Sequence, residues 1–220
     1  MTDMERELRE RWQDLTSFMT SDVRDKWWSH IVEAYAQAHR HYHNMRHLYQ
    51  LFQFYDAYKD QLKDRYACAF AIFFHDIVYD PKSGGENESS SAEEFKRFSQ
   101  ETTLDSVSYV VELIAATTSH CTEAHSTPDA YGAEDVHYML DFDMAILGSD
   151  AQEYDAYADQ IRKEYCHLDD KAYVDQRSKV LGLFLQIPNI FATREFRDNY
   201  EQKARDNIQR EIESLAKASS

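Results

Sequence analysis

The stretch AFAIFFHDIVYD, residues 69–80, decides how this sequence is read. Apolar residues run from Ala69 to Phe74, and an imidazole and a carboxylate then follow side by side at His75 and Asp76. Phe70, Phe73, Phe74, Ile77 and Val78 recur at helical spacing on a nearly all-apolar segment, which predicts a central, buried helix. A carboxylate beside an imidazole at the end of such a segment faces a desolvation cost that core packing cannot offset. Something must pair with it, and a salt bridge, a helix cap and a metal ion are the candidates.

Helical periodicity repeats on both sides of this stretch. Leu48, Leu51, Phe52, Tyr55 and Leu62 mark a preceding helix, and Val107, Val110, Val111 and Ile114 a later one. Ser90 and Ser91 each have Glu three residues on, a capping-box pattern that predicts a helix start there. Val136, Met139, Leu140, Ile146 and Leu147 predict a helix stopped by Gly148. Asp150 with Glu153 opens a helix to about Tyr165. Tyr173, Val174, Arg177, Val180, Leu181, Phe184 and Leu185 mark another, ended before Pro188, and a last one runs from about Thr193 to Leu215. Ser83 to Ser91 reads as a loop, and Ala216 to Ser220 as a frayed tail. The 220 residues hold 5 Gly and 3 Pro, where average usage gives roughly 26 of the two together. Too few turns can be built for a sandwich, barrel or propeller, so the expected fold class is all-α.

With 24 Lys and Arg against 40 Asp and Glu, the net charge is −16. That surface repels nucleic acid polymers and anionic lipid, while a metal ion could still invert the field locally for a small anionic substrate. The longest apolar run is too short to span a membrane, and MTDMERELRERW lacks the apolar centre of a signal peptide. Cys68, Cys121 and Cys166 are odd in number, with no CxxC spacing. A cytoplasmic protein with reduced thiols is expected.

Candidate ligands lie on both sides of His75-Asp76. In RHYHNMRH, residues 40–47, His43 and His47 stand at i and i+4, a spacing that puts both on one helix face. His47 continues the stripe through Leu51 and should point inward. Downstream come ATTSH, ending at His120, and LDFD, residues 140–143. Asp143 falls three residues after Leu140, four after Met139 and seven after Val136, so it is expected on the buried face of its helix. Asp141 shares a face with His137 and Tyr138.

The order His … His-Asp … Asp on successive helices resembles the HD superfamily, the all-helical metal-dependent phosphohydrolase fold. RHYHNMRH, AIFFHDIVYD, NESSSAE, ATTSH, LDFDMAILG, YADQIRKEY and QRSKVL resemble a little-characterised branch of predicted HD phosphohydrolases, from about Tyr35 to about Asn207. The resemblance implies a single HD-type helical bundle over residues 1–220, its core at about 28–210 behind a short N-terminal helix. It implies metal ligation by His47, His75, Asp76 and one of Asp141 and Asp143, with Asp143 preferred on burial. His43 is the competing first histidine, and His120 falls where some relatives place an extra one. Asp76, His43 and His120 are the expected catalytic residues.

The implied reaction is cleavage of a phosphate ester of a small molecule, a nucleotide above all, by a metal-activated water. Mn, Fe, Co, Ni, Zn or Mg would suit nitrogen–oxygen ligation. Arg40, Arg46, Lys82, Arg177, Asn87 and Glu88 are the expected substrate contacts, with Tyr42, Phe74 and Tyr79 as stacking surfaces for a base. Arg177 earns its place by standing on an otherwise apolar stripe, where a guanidinium needs an anion. Tyr154, Tyr157 and Ile161 form either core or a homodimer face. Two other readings stand beside this one: a di-iron oxygenase on the same fold, which would also need His43, His120 and a further carboxylate, and a non-catalytic binding module stapled by its metal.

Overall fold

From Ala67 to Phe74 no side chain gains from contact with water, and all eight are buried in one helix. The computed structural model describes residues 2–83 and 85–218. Its helices are α1 (Asp3–Leu15), α2 (Ser21–Tyr35), α3 (Met45–Tyr58), α4 (Arg65–Phe74), α5 (Asn87–Gln100), α6 (Val107–Ala116), α7 (Glu123–Ser126), α8 (Asp135–Met144), α9 (Ala151–Glu164), α10 (Asp170–Gln186) and α11 (Arg194–Ala218). Short 3₁₀ turns follow α3 and α8, and the described residues contain no strand. The all-α expectation holds. None of these helices is long and apolar enough to cross a membrane. The chain divides into two compact units, one up to Ser119 and one from His120.

The first unit is built around α4. Asp64 caps its start, the carboxylate accepting the Ala67 N–H at 2.8 Å. Trp12 from α1 stands edge-on to Phe73, with ring centroids 5.3 Å apart, and Phe74 packs on Phe95 and Phe98 of α5. Trp12 is 0% exposed. The N-terminal helix is therefore core and no appendage, which corrects the expected boundary near residue 28. The helix also ends earlier than its apolar pattern: His75 is its C-cap, and Ile77 and Val78 lie in the turn beyond.

The loop expected from Ser83 to Ser91 is shorter than its composition suggested. Helix α5 starts at Asn87, so Ser90 and Ser91 lie inside it and cap nothing. The Ser91 hydroxyl instead accepts the Val78 N–H at 3.1 Å. Of that loop, Gly84 lies outside the described residues.

In the second unit α11 packs against α9, α10 and the 3₁₀ turn Ala145–Gly148. Gly148 is required there, because a Cβ would lie 2.6 Å from the Tyr200 Cβ and 2.8 Å from its carbonyl oxygen. Tyr154 and Ile161 are buried core, and the Tyr154 hydroxyl donates to Glu211 at 2.6 Å. Helix α11 continues through Ala216 to Ala218, past the expected start of the frayed tail; Ser219 and Ser220 lie outside the described residues.

Candidate metal centre

Two helix ends of the first unit bring His47, His75 and Asp76 together. Helix α3 starts at Met45 because the Asn44 side chain caps it, accepting the Arg46 N–H at 2.9 Å. His47 then falls in the first turn, 1% exposed. At the end of α4, the His75 N–H still reaches Ala71 O at 2.8 Å, and the ring turns back so that Nδ1 lies 2.9 Å from Ile72 O. A carbonyl only accepts, so Nδ1 carries the hydrogen and Nε2 presents its lone pair. That lone pair faces His47 Nε2 at 3.2 Å and Asp76 Oδ2 at 3.1 Å, and His47 Nε2 lies 3.6 Å from the same carboxylate oxygen.

The donor chemistry of these three atoms fits a divalent cation. His75 Nε2 and Asp76 Oδ2 are both acceptors at hydrogen-bond distance, in a site where both imidazoles are 1% exposed. A cation relieves that contact. An imidazole whose far nitrogen donates to a carbonyl is also oriented and made more basic as a ligand. This His–His–Asp group could hold a metal ion.

His43 does not share the face of α3 with His47, as its spacing suggested. It precedes the Asn44 cap, outside the helix, and its ring stacks on Tyr79 with centroids 4.3 Å apart. The His43 and His47 rings are 5.7 Å apart, close enough for His43 to wall the site. Arg40 is no exposed phosphate donor: its guanidinium donates to the carbonyls of His43, Asp76 and Ile77. Asn87 staples the 80–87 loop, accepting the Asp80 N–H at 2.9 Å and donating to Asp80 O at 3.1 Å. Its oxygen also accepts the Ser83 hydroxyl at 2.7 Å, so the amide is committed within the loop. Arg46 and Lys82 are exposed. Glu88 is half-buried, with Oε2 enclosed and without a hydrogen bond. Tyr42 and Tyr79 are buried near His43, whereas Phe74 is fully buried in the aromatic core.

The second unit separates the two aspartates of LDFD. Asp141 is 1% exposed, more buried than half-buried Asp143, which reverses the expected order. Both Asp141 oxygens are covered: Oδ1 accepts Ala192 N–H at 2.8 Å, and Oδ2 accepts Thr193 N–H at 2.8 Å and its hydroxyl at 2.6 Å. Asp141 anchors the start of α11 and has no lone pair aimed at a ligand, so it leaves the ligand set. Burial still pushes its carboxyl up to about 7, against the pull of those hydrogen bonds. Asp143 instead receives the His120 imidazole, Nε2 to Oδ2 at 2.7 Å. His120 holds a positive φ of 48°.

Arg177 meets an anion of its own chain. Its Nε lies 2.8 Å from Glu211 Oε1 and Nη2 3.1 Å from Oε2, so it is a buried structural pair and no substrate contact. Burial pulls the Arg177 pKa down, but the charges and hydrogen bonds of Tyr157 and Glu211 outweigh it and hold the guanidinium well up. Burial first, and then Glu211, pushes the Tyr154 phenol up. His125 went unnoticed in the sequence. It is buried, its Nδ1 accepts the Thr122 N–H at 3.0 Å, and burial holds its pKa down at about 4. Its place three residues after Thr122 is the signal that could have found it.

Compared with family models, curated proteins and solved structures, the chain has no match in any of the three.

Proposed function

We propose that this chain is a metal-dependent phosphohydrolase of the HD kind, acting on a small phosphate ester such as a nucleotide. The observation that carries the reading is the meeting of His47, His75 and Asp76 with the His75 lone pair fixed inward by Ile72 O. The resemblance implies a further aspartate ligand, and Asp143 is the candidate left once both Asp141 oxygens are taken by Ala192 and Thr193. A divalent ion so held supplies a Lewis acid for a phosphoryl oxygen and lowers the pKa of a coordinated water.

The chain's own residues do the rest. Asp76 keeps a side chain 15% exposed, so one carboxylate can both ligate and face a water. Asp143 orients the His120 ring through Nε2, which leaves Nδ1 as the nitrogen for proton exchange. His43 and Tyr79, stacked face to face, offer a flat wall for the organic part of the substrate. The net charge of −16 keeps nucleic acid polymers away and leaves small esters as the class admitted.

Elemental analysis of the purified protein, followed by a phosphate-release screen over nucleotides and sugar phosphates with Mn²⁺, Co²⁺ and Ni²⁺, tests the proposal. Bound divalent metal and metal-dependent phosphate release are expected. Protein that binds no metal and releases no phosphate overturns it, and two irons with O₂ consumption would replace hydrolysis by oxidation.

A further inference from the structure

We infer that Arg40 is a positioning residue for the metal centre, holding the start of α3 and the turn after α4 at the separation that ligation needs; the inference rests on the metal-binding reading above. The chain just before His47 and the chain just after His75 are both short of regular structure. Residues 36–44 link α2 to α3 outside any helix, and the chain leaves α4 at His75. Backbone carbonyls in such segments need donors from elsewhere.

Arg40 supplies them. Its side chain is buried, with the guanidinium 4.9 Å from the Tyr35 ring centroid and 5.4 Å from that of Tyr79. Nε donates to Gln37 Oε1 at 3.1 Å, and Nη2 donates to Ile77 O at 2.9 Å. One nitrogen, Nη1, donates both to His43 O at 3.0 Å and to Asp76 O at 2.6 Å. The first carbonyl lies four residues before His47, and the second belongs to a ligand residue itself. A single atom therefore bridges the chain before His47 and the turn after His75. Two further ties run in parallel: His39 Nε2 with Tyr79 O at 2.8 Å, and the His43–Tyr79 stack.

The chemistry requires arginine. Its planar fork reaches carbonyls in several directions while its faces rest on aromatic rings. Lysine would place one compact charge near one carbonyl and leave the others to water.

The test measures Co²⁺ affinity by calorimetry, and the visible absorption of the Co²⁺ form, in the full chain and in Arg40→Lys. Circular dichroism and the melting temperature of the metal-free proteins are recorded alongside. Arg40→Lys should weaken Co²⁺ by about 10- to 100-fold, the range known for residues that orient metal ligands, and should change the absorption of the bound ion. A role in stability alone would lower the metal-free melting temperature and leave affinity and spectrum as they are. A folded Arg40→Lys with unchanged affinity and spectrum overturns the inference. If Arg40→Lys does not fold, Gln37→Ala decides: it removes only the Nε partner from an exposed position. Weaker Co²⁺ binding there supports the inference, and unchanged binding overturns it. A wild-type protein that binds no Co²⁺ takes down the metal-binding reading first and this inference with it.

Discussion

The end of α4 and the end of α8 each put carboxylates where water is scarce, and the two solve the problem in opposite ways. At α8, Asp141 is met by three donors, two N–H groups and a hydroxyl, at 2.6–2.8 Å. At α4, Asp76 is met by Nε2 of a ring whose hydrogen sits on the other nitrogen, Nδ1, and goes to Ile72 O. The first arrangement is complete as it stands. The second turns the His75 Nε2 lone pair toward a carboxylate oxygen, an arrangement that suits a cation. Buried carboxylates thus divide into scaffold and site by what faces their oxygens, and burial alone does not separate them.

That division can be broken most directly at Asp76. Asp76→Ala should abolish metal binding and phosphate release, while the metal-free protein melts no lower than wild type; elemental analysis, a phosphate assay and calorimetry read the three. A variant that keeps its metal and its turnover would erase the distinction. The next largest effect belongs to a pair on the scaffold side. Arg177→Met leaves Glu211 buried without its guanidinium and should cost about 3–5 kcal/mol of unfolding free energy in denaturant titration, with metal content unchanged.

The two aspartates of α8 sharpen the comparison within a single turn of helix. Asp141→Asn puts an NH₂ group where donors already converge and should cost about 1–3 kcal/mol without loss of metal. Asp143→Asn should do the reverse, lowering metal occupancy more than Asp141→Asn while sparing stability. The smallest effect is one of pH. Burial holds His125 at about 4 in the folded protein, below its ordinary value of 6.5. The unfolded chain therefore binds its proton first as pH falls, and stability is lost between about pH 6.5 and about pH 4. In His125→Asn, melting temperatures measured across that window should fall less steeply.

The fold class was legible in the sequence because it depends on local quantities: helical spacing of apolar residues and a scarcity of Gly and Pro. The meeting of His47, His75 and Asp76 was legible because His47 continues the apolar stripe through Leu51, while His75 and Asp76 stand at the end of an apolar run. What stayed hidden depends on partners distant in the chain. Asp141 is buried by the segment Ala192–Thr193, about fifty residues on, which no periodicity within α8 can reveal. Arg40 reads as a phosphate donor until its carbonyl partners 36 and 37 residues away are seen. Arg177 gives the same false signal, with Glu211 as the distant partner. His43 was misplaced for a local reason: Asn44 is a strong helix cap, and a histidine ahead of the cap cannot share the face of one behind it.

The all-apolar α4 has one more consequence, for motion. His75 is the C-cap of a helix whose last eight side chains are all sealed from water, and its own amide is bonded to Ala71 O. No local fraying can release that residue while the aromatic rings around it stay packed. Amide hydrogen exchange at His75 should then be as slow as at Phe70 or Phe73, and both should speed up together only when the whole first unit opens.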